Sequence, residues 1–299
     1  MGCSFSWGSS QLAEPPDDSP LPSPSSQPPG SEASSAPALP ERLLERFALG
    51  PTLGEGTFGV VYTGYDRETG EEVAVKAIEM DQGDALDAQL EAEMLQTLLH
   101  DNIVRLRQVF LENSWVSLVM DIYAGGDLLD GANLHVKERG RLNSLQVIHV
   151  CAQMAAALQY LHRKSVAHRD VKGDNYLLDR RDITDTQCRV ALCDFGTACT
   201  LQAGERLSKP VGTKSFWAPE FFAGDYGLQV DIWAMGVTVY GLLAGSYPFK
   251  DEFHTRNADL SVPDGVEPAC ADYLQALLRK DEASRIGAEE AARHPWLRC

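Results

Sequence analysis

The chain has 299 residues, of which 44% are hydrophobic, and it carries a formal net charge of -17 at pH 7. This length and composition suffice for one large bilobal domain or two ordinary ones. The negative charge argues against nucleic acid as the main partner, because binding to a phosphate backbone depends on clustered Lys and Arg, and it favours basic peptides or proteins. Seven cysteines without CxxC spacing predict neither a disulfide framework nor a zinc site, and they favour a reducing compartment inside the cell.

The N-terminal segment is predicted to be a disordered tail over residues 1–40, because Ser, Pro, Gly, Ala and acidic residues dominate it. Its start, Met1-Gly-Cys-Ser-Phe-Ser6, fits the myristoylation pattern with Gly2 as acceptor. Cys3 is then placed for palmitoylation, and stable membrane binding requires this second acyl chain. An unmodified start is the alternative. No apolar run of about 18 residues is present, so we expect peripheral binding to the cytoplasmic face of a membrane.

Hydrophobic periodicity predicts an α+β fold with two lobes. The small lobe, over about residues 47–121, is predicted to hold a five-stranded sheet and one helix. Its expected elements are strands 47–53, 60–65, 73–80, 104–110 and 116–122 and a helix over 86–99. Helical patterns at 144–163 and 230–244 predict a larger, mainly helical lobe over about residues 124–297. The stretch between residue 249 and a helix near 271–278 is short, and a helix within it is only weakly encoded.

Four short strings follow one another in a fixed order along the chain. They are Gly54-Glu-Gly-Thr-Phe-Gly-Val60, Val73-Ala-Val-Lys76, His168-Arg-Asp-Val-Lys-Gly-Asp-Asn175 and Asp194-Phe-Gly196. The first string alone is weak evidence, because dinucleotide-binding folds use a similar one to open a helix. Here it continues into the β-branched Val60-Val61, and Lys76 follows on another strand, which favours a flexible hairpin over nucleotide phosphates.

Together the four strings resemble the eukaryotic protein kinase signature. Lys172 and Thr213 resemble the serine/threonine branch, and segments 125–130 and 179–190 are similar to the calcium/calmodulin-dependent and calcium-dependent protein kinases. The likeness covers about residues 47–297 and includes no EF-hand pattern. It implies the bilobal protein kinase fold and a monomeric enzyme that transfers phosphate from ATP, with Mg²⁺, to Ser or Thr of protein substrates.

By this resemblance, Lys76 holds the α- and β-phosphates of ATP and pairs with a glutamate on the following helix. Glu91 is the expected partner, because it lies nine residues before His100, which is the spacing found in kinases. Glu93 is the alternative, although residues two apart face different sides of a helix and Glu93 is better explained as a solvated charge.

The resemblance also assigns the reacting end of the site. Asp170 is expected to accept or orient the proton of the substrate hydroxyl, with Lys172 as a further catalytic residue beside it. Asn175 and Asp194 are expected to supply oxygen ligands to two Mg²⁺ ions. The set is complete, which favours an active enzyme over a pseudokinase scaffold that binds nucleotide without turnover. A lipid or small-molecule kinase is the further alternative, against which Lys172, Thr213 and Ala218-Pro-Glu220 resemble kinases of peptide substrates.

The ATP-binding residues follow from the same resemblance. They are Leu53, Gly54, Glu55, Gly56, Thr57, Phe58, Gly59, Val61, Ala74, Lys76, Met120, Asp121, Tyr123 and Leu177. Backbone groups of Asp121 and Tyr123 are expected to meet the edge of the adenine, behind the gatekeeper Met120. Cys193 should lie at the back of this site, and as a small buried residue it is expected to be inert packing.

Substrate reading is also inferred by resemblance. Asp127 and Asp174 align with acidic positions that receive an arginine three residues before the phosphoacceptor, and Thr213 is placed with them among the substrate-binding residues. Glu220 is expected to pair with Arg285, and Asp231 to brace the catalytic loop.

Arg169 resembles the arginine that binds a phosphorylated activation-loop residue, yet the aligned position is Lys209, which cannot supply the anion. Either phosphorylated Ser208 takes its place, or the loop is held without phosphate, and the sequence leaves both possibilities open.

Overall fold

The computed structural model describes residues 39–56, 59–80, 85–112 and 114–298. The predicted tail, with Gly2 and Cys3, lies outside the described residues, apart from its last two positions. Thr57 and Phe58 of the glycine-rich string also lie outside them. In the described part of the chain, no helix combines the length and apolar character needed to cross a membrane.

The small lobe is built on one antiparallel sheet. Its elements are α1 (Glu41–Arg46), β1 (Phe47–Gly56), β2 (Gly59–Asp66), β3 (Glu72–Glu79), α2 (Ala85–Thr97), β4 (Leu106–Glu112) and β5 (Trp115–Asp121). The strands lie in the order β1-β2-β3-β5-β4. The central strand β3 is buried from Val73 to Ile78, since one face meets α2 and the other meets a separate small core. Burial on both faces explains why β3 reads as a continuous run of apolar residues around Lys76.

Helix α1 was not predicted, because six residues are too few for a helical period to be recognised. It covers the outer face of the sheet, where Leu43 is fully buried against Phe47, Val73 and Val75. The small lobe thus has a second, outer core, and its inner face is left to α2 and to the cleft between the lobes.

The larger lobe is mainly helical, as predicted. Its helices are α3 (Leu128–Arg139), α4 (Ser144–Arg163), α5 (Pro219–Ala223), α6 (Gln229–Ala244), α7 (Glu252–Asn257), α8 (Pro268–Leu277) and α9 (Ala288–Ala291). Its short strands are β6 (Gly126–Asp127), β7 (Val166–Ala167), β8 (Tyr176–Leu178), β9 (Val190–Leu192) and β10 (Cys199–Thr200). The five-stranded sheet and the helical lobe confirm the predicted bilobal α+β fold.

Local signals explain where the two long helices lie. Helix α4 begins at a capping box, in which Asn143 accepts from the backbone of Gln146 and the Gln146 side chain reaches back to the Asn143 amide. Helix α6 is buried over its whole circumference from Val230 to Leu243, which fits a sequence that is apolar on every face. It forms the centre of the larger lobe.

The weakly encoded helix is present as α7, with six residues. Asp251 caps it by accepting from the amide of His254 at 2.9 Å. At its other end, the Lys280 ammonium donates to the carbonyls of His254 and Thr255, at 3.2 and 2.5 Å. Contacts from outside the segment therefore stabilise a helix that its own sequence barely specifies.

Candidate active site

A cavity of about 680 Å³ lies between the two lobes, which is a suitable volume for a nucleotide. Most of the residues predicted to bind ATP line it: Leu53, Gly54, Gly59, Val61, Ala74, Lys76, Met120, Asp121, Tyr123 and Leu177. Glu55 and Gly56 belong to the end of β1, next to the hairpin tip. Val104, Ile122, Ala124 and Asp130 also line the cavity, and the resemblance did not assign them to ATP binding.

Two glycines of the hairpin, Gly54 and Gly59, serve different structural purposes. A Cβ on Gly54 would meet nothing within 4 Å, so the backbone is open for close approach by a ligand. Gly59 has φ +146°, and a Cβ there would lie 2.2 Å from the carbonyl oxygen of Ala77. Only glycine can therefore hold β2 this close to β3.

The hinge, Asp121 to Tyr123, lines the cavity where β5 leads into the larger lobe. The amide of Asp121 donates to the carbonyl of Arg105 at 3.1 Å, so this amide is not available to a ligand. The Asp121 carboxylate is held by Arg107 at 2.5 Å, and Arg107 also pairs with Glu71 at 2.7 Å. These bonds fix the hinge against β4.

The innermost group in the cleft is an ion-pair triad. The Lys76 ammonium lies 2.8 Å from both carboxylate oxygens of Glu91 and 3.3 Å from Oδ1 of Asp194. Burial lowers the pKa of Lys76, but the charges of Glu91 and Asp194 outweigh this, so the pKa is raised and the ammonium stays charged. The structure brings Glu91 into this triad, whereas Glu93 is exposed on another side of α2.

The two glutamates of α2 give a matched pair of variants. Glu91→Gln removes the negative partner of Lys76, and we expect phosphotransfer to fall by about 10² or more, because a positioned charge is lost from a water-poor site. Glu93→Gln changes the same side chain on an exposed face and should leave the rate within about twofold. Steady-state phosphate transfer to a peptide measures both, and equal losses in the two variants would contradict the assignment of Glu91.

The catalytic loop is held by a closed set of bonds around Asp170. One oxygen of Asp170 accepts from the amide of Thr213 at 2.8 Å, and the other lies 3.0 Å from the Lys172 ammonium. Lys172 also donates to the Thr213 hydroxyl at 2.8 Å. Asn175 donates its amide nitrogen to the Asp170 carbonyl at 2.7 Å. All four predicted residues are therefore brought together, and the carboxylate is fixed in one orientation.

Asp231 braces this loop from below, as predicted. It is buried on α6 and accepts from the amides of His168 and Arg169, both at 2.9 Å, and from His162 at 3.1 Å. Arg169 has φ +68°, an unfavourable conformation for a side chain of its size, which these bonds hold in place. Burial raises the pKa of Asp231, but its hydrogen bonds and the nearby histidines outweigh burial, so the pKa is lowered and the brace stays charged.

The residues predicted to hold Mg²⁺ fit that ion. Asn175 uses its amide nitrogen on Asp170, which leaves its oxygen as the atom available to a cation. Burial raises the pKa of Asp194, but the charge of Lys76 and other cations outweighs burial, so the pKa is lowered and the carboxylate is ionised. Among the described residues, no three His, Cys, Asp or Glu side chains could hold a metal by themselves. In enzymes that use ATP, Mg²⁺ is commonly bound by one or two protein oxygens together with substrate phosphates and water.

Cys193 lies on the wall of the cavity, immediately before Asp194. Burial is the main cause that raises the pKa of its thiol far above the usual range, and the charge of Asp194 adds to it. Very little thiolate is present at neutral pH, so the structure favours the interpretation of Cys193 as inert packing.

The acidic residues Asp127 and Asp174 lie at the mouth of the cavity, together with Asp130. Asp127 caps α3 by accepting from the amide of Asp130 at 2.8 Å. Burial, and to a lesser extent the charges of Asp130 and Asp174, raise the pKa of Asp127 to about 6. The mouth of the cavity is thus negative at neutral pH and suits a cationic side chain.

Comparison with known proteins agrees with this geometry. The family model for the protein kinase domain matches residues 47–297. The chain is 31% identical over 265 residues to the SNF1-related protein kinase catalytic subunit alpha of Arabidopsis thaliana, which covers 85% of this chain and 52% of the relative. It is 32% identical over 268 residues to a serine/threonine-protein kinase of Oryza sativa subsp. japonica, with 84% and 72% covered.

A third relative is calcium-dependent protein kinase 4 of Plasmodium berghei, which is 31% identical over 260 residues. The alignment covers 82% of this chain and 48% of that protein. The chain thus spans about half the length of the Arabidopsis and Plasmodium relatives. The family match over most of the chain, together with relatives above 30% identity, shows that the chain belongs to the protein kinase family and is of the serine/threonine type.

Proposed function

We propose that the chain transfers the γ-phosphate of ATP, with Mg²⁺, to a Ser or Thr of protein substrates that carry Arg three residues before the acceptor. The observation that carries the proposal is the assembled site: Lys76 pairs with Glu91 and Asp194 at one end of the cleft, and Asp170 is fixed by Lys172 and Thr213 at the other. A pseudokinase scaffold would not need this arrangement.

The residues divide the reaction between them. The backbone around Gly54 is open for the phosphates of ATP. Lys76 would hold two of these phosphates, and its pairs with Glu91 and Asp194 would fix its ammonium in position. Mg²⁺ held by Asn175 and Asp194 would neutralise the charge that develops on the transferred group. Asp170 is placed to receive the proton of the substrate hydroxyl at one carboxylate oxygen, while Lys172 stabilises the negative charge nearby.

The test is phosphate transfer from Mg-ATP to a peptide of the Arg-x-x-Ser type, with an Ala-x-x-Ser peptide as its matched control. We expect turnover in the range of about 1 to 100 per second for the first peptide and a clearly higher KM for the second. Equal kinetics for the two peptides would contradict the Arg preference but not the kinase activity. Nucleotide binding without any turnover would favour the scaffold.

The preference for Arg is expected to depend on pH. Because the pKa of Asp127 is raised to about 6, its carboxylate is charged well above that pH and becomes neutral below it. The ratio of kcat/KM for the two peptides should therefore fall as the pH is lowered through 6. In Asp127→Asn the ratio should stay, at every pH, near the low value that the unaltered protein reaches below pH 6. A ratio that is constant with pH in the unaltered protein would show that Asp127 does not read the arginine.

The acylation of Gly2 and Cys3, binding to a membrane and a monomeric state remain predictions.

A further inference from the structure

The activation segment, residues 197–213 after the Asp194-Phe-Gly196 string, is held by a cluster of charges that the proposed chemistry does not use. The Arg206 guanidinium lies against both oxygens of Glu282, at 2.9 and 2.6 Å, in a bidentate pair. Its Nε donates to the Asp225 carboxylate at 2.8 Å, and a terminal nitrogen donates to the Asp225 carbonyl at 2.7 Å. One side chain therefore connects the segment to two other parts of the larger lobe.

The partners of Arg206 are themselves fixed. Glu282 also accepts from the amide of Gly227 at 3.2 Å, so its carboxylate serves two groups at once. A Cβ on Gly227 would lie 3.2 Å from the Arg206 guanidinium, so a glycine at this position avoids a steric conflict with Arg206. An isolated exposed ion pair contributes little, but a bidentate pair within a network is the arrangement in which such contacts do count.

A second set of bonds joins the next residues to Tyr226. The amides of Leu207 and Tyr226 donate to each other's carbonyls, at 2.8 and 3.0 Å. The Tyr226 hydroxyl donates to the carbonyl of Lys209 at 2.6 Å, and its buried ring stacks on Phe221 with 4.1 Å between centroids. The residues on either side of Ser208, Leu207 and Lys209, are therefore held by bonds that involve no phosphate.

Arg169 aligns with the arginine that binds an activation-loop phosphate in many kinases, but here its side chain donates to a backbone carbonyl. Its Nε donates to the carbonyl of Thr197 at 2.6 Å. Burial is the main cause that raises the pKa of Tyr226, so its phenol stays protonated and donates to the carbonyl of Lys209. Arg169 and Lys209 are thus each held by hydrogen bonds to other groups of the protein.

We infer that Arg206, with Glu282 and Asp225, clamps the activation segment in its working position, so that phosphate transfer does not require phosphorylation of Ser208. Arg206 is then a positioning residue. It acts through the segment that ends at Thr213, whose amide orients Asp170. The inference rests on the proposed kinase activity.

The activity test uses the full chain after phosphatase treatment, with intact mass showing that no phosphate remains. We expect Ser208→Ala to keep kcat/KM for the peptide within about twofold. Arg206→Ala should lower it by about fivefold, the effect of losing roughly 1 kcal/mol of positioning, with no change in nucleotide affinity. Arg139→Ala, which removes another surface pair, with Asp182, is the matched control and should have no effect.

The inference would be overturned by the following combination of results. Ser208→Ala and the dephosphorylated protein would both lose activity, and phosphorylated Arg206→Ala would keep full activity. Hydrogen exchange of the backbone amides of residues 205–209 and 211–212 provides a readout that does not depend on turnover. Protection of these amides from exchange in the unphosphorylated protein, lost in Arg206→Ala, supports the clamp. If this result is obtained but no peptide is phosphorylated, only the proposed function fails. Fast exchange that slows once Ser208 is phosphorylated would show that phosphate, and not Arg206, holds the segment.

Discussion

Asp194→Asn is expected to lower the rate of phosphate transfer by on the order of 10³-fold or more, because it removes a negative ligand from the proposed Mg²⁺ site and a partner from Lys76 at once. The substitution keeps the size and most of the shape of the side chain, so the fold should be preserved. Single-turnover transfer from Mg-ATP measures the chemical step directly. The titration of Mg²⁺ in the same assay should show a weaker apparent affinity for the metal.

A control for this variant is Asp182→Asn, an aspartate in the exposed loop between β8 and β9 that pairs with Arg139. It should match the unaltered protein in both measurements. Retention of full activity by Asp194→Asn would remove Asp194 from the metal site and with it the proposed arrangement of the cleft. The residual binding of nucleotide by the variant, followed by fluorescence, would show that the site is still formed.

Glu220→Ala is expected to destabilise the larger lobe by about 3–5 kcal/mol, since it leaves the Arg285 guanidinium buried without its anion. The Arg285 side chain is 0% exposed and meets both oxygens of Glu220, at 2.5 and 2.9 Å. Its guanidinium also lies 5.1 Å from the ring centre of Trp233. Urea unfolding without nucleotide measures the loss as a shift of the midpoint at unchanged slope.

The matched variant is Glu289→Ala, which removes an exposed glutamate that pairs with Arg163 and Arg293. Its loss of stability should be much smaller, because Glu289 is exposed to water although it meets Arg163 through two bonds. Equal midpoints for Glu220→Ala and Glu289→Ala would show that burial of the Arg285 pair does not matter for stability. Replacing both Glu220 and Arg285 by apolar residues should recover part of the loss.

The sequence predicted those residues and elements that are defined by short spacings along the chain. The order of the four strings placed Lys76, Asp170 and Asp194, and nine residues of spacing before His100 distinguished Glu91 from Glu93. The positions of the two long helices were also predicted. Apolar residues at helical spacing mark the buried side of α4, and a continuous apolar stretch marks α6, which is buried on every side.

What the sequence could not predict depends on contacts between distant positions. Arg206 and Glu282 are 76 residues apart, and nothing near either one indicates its partner. The use of the Asp121 amide by Arg105 also escaped the sequence, because a backbone bond between neighbouring strands depends on register and not on residue type. Helix α1 was too short to show a period, and its role became clear only from the buried position of Leu43.

Helix α6 carries two anchors close together. The carbonyl of Gln229 accepts from Arg285 at 2.9 Å, and two residues later Asp231 accepts from the catalytic-loop amides. The buried ion pair and the reacting groups therefore share one support. A substitution that loosens this support would reduce turnover without touching a substrate, and in a crude assay it would look like a defect in chemistry. An inactive variant of this protein therefore has to be interpreted together with its folded fraction, since the same helix determines both.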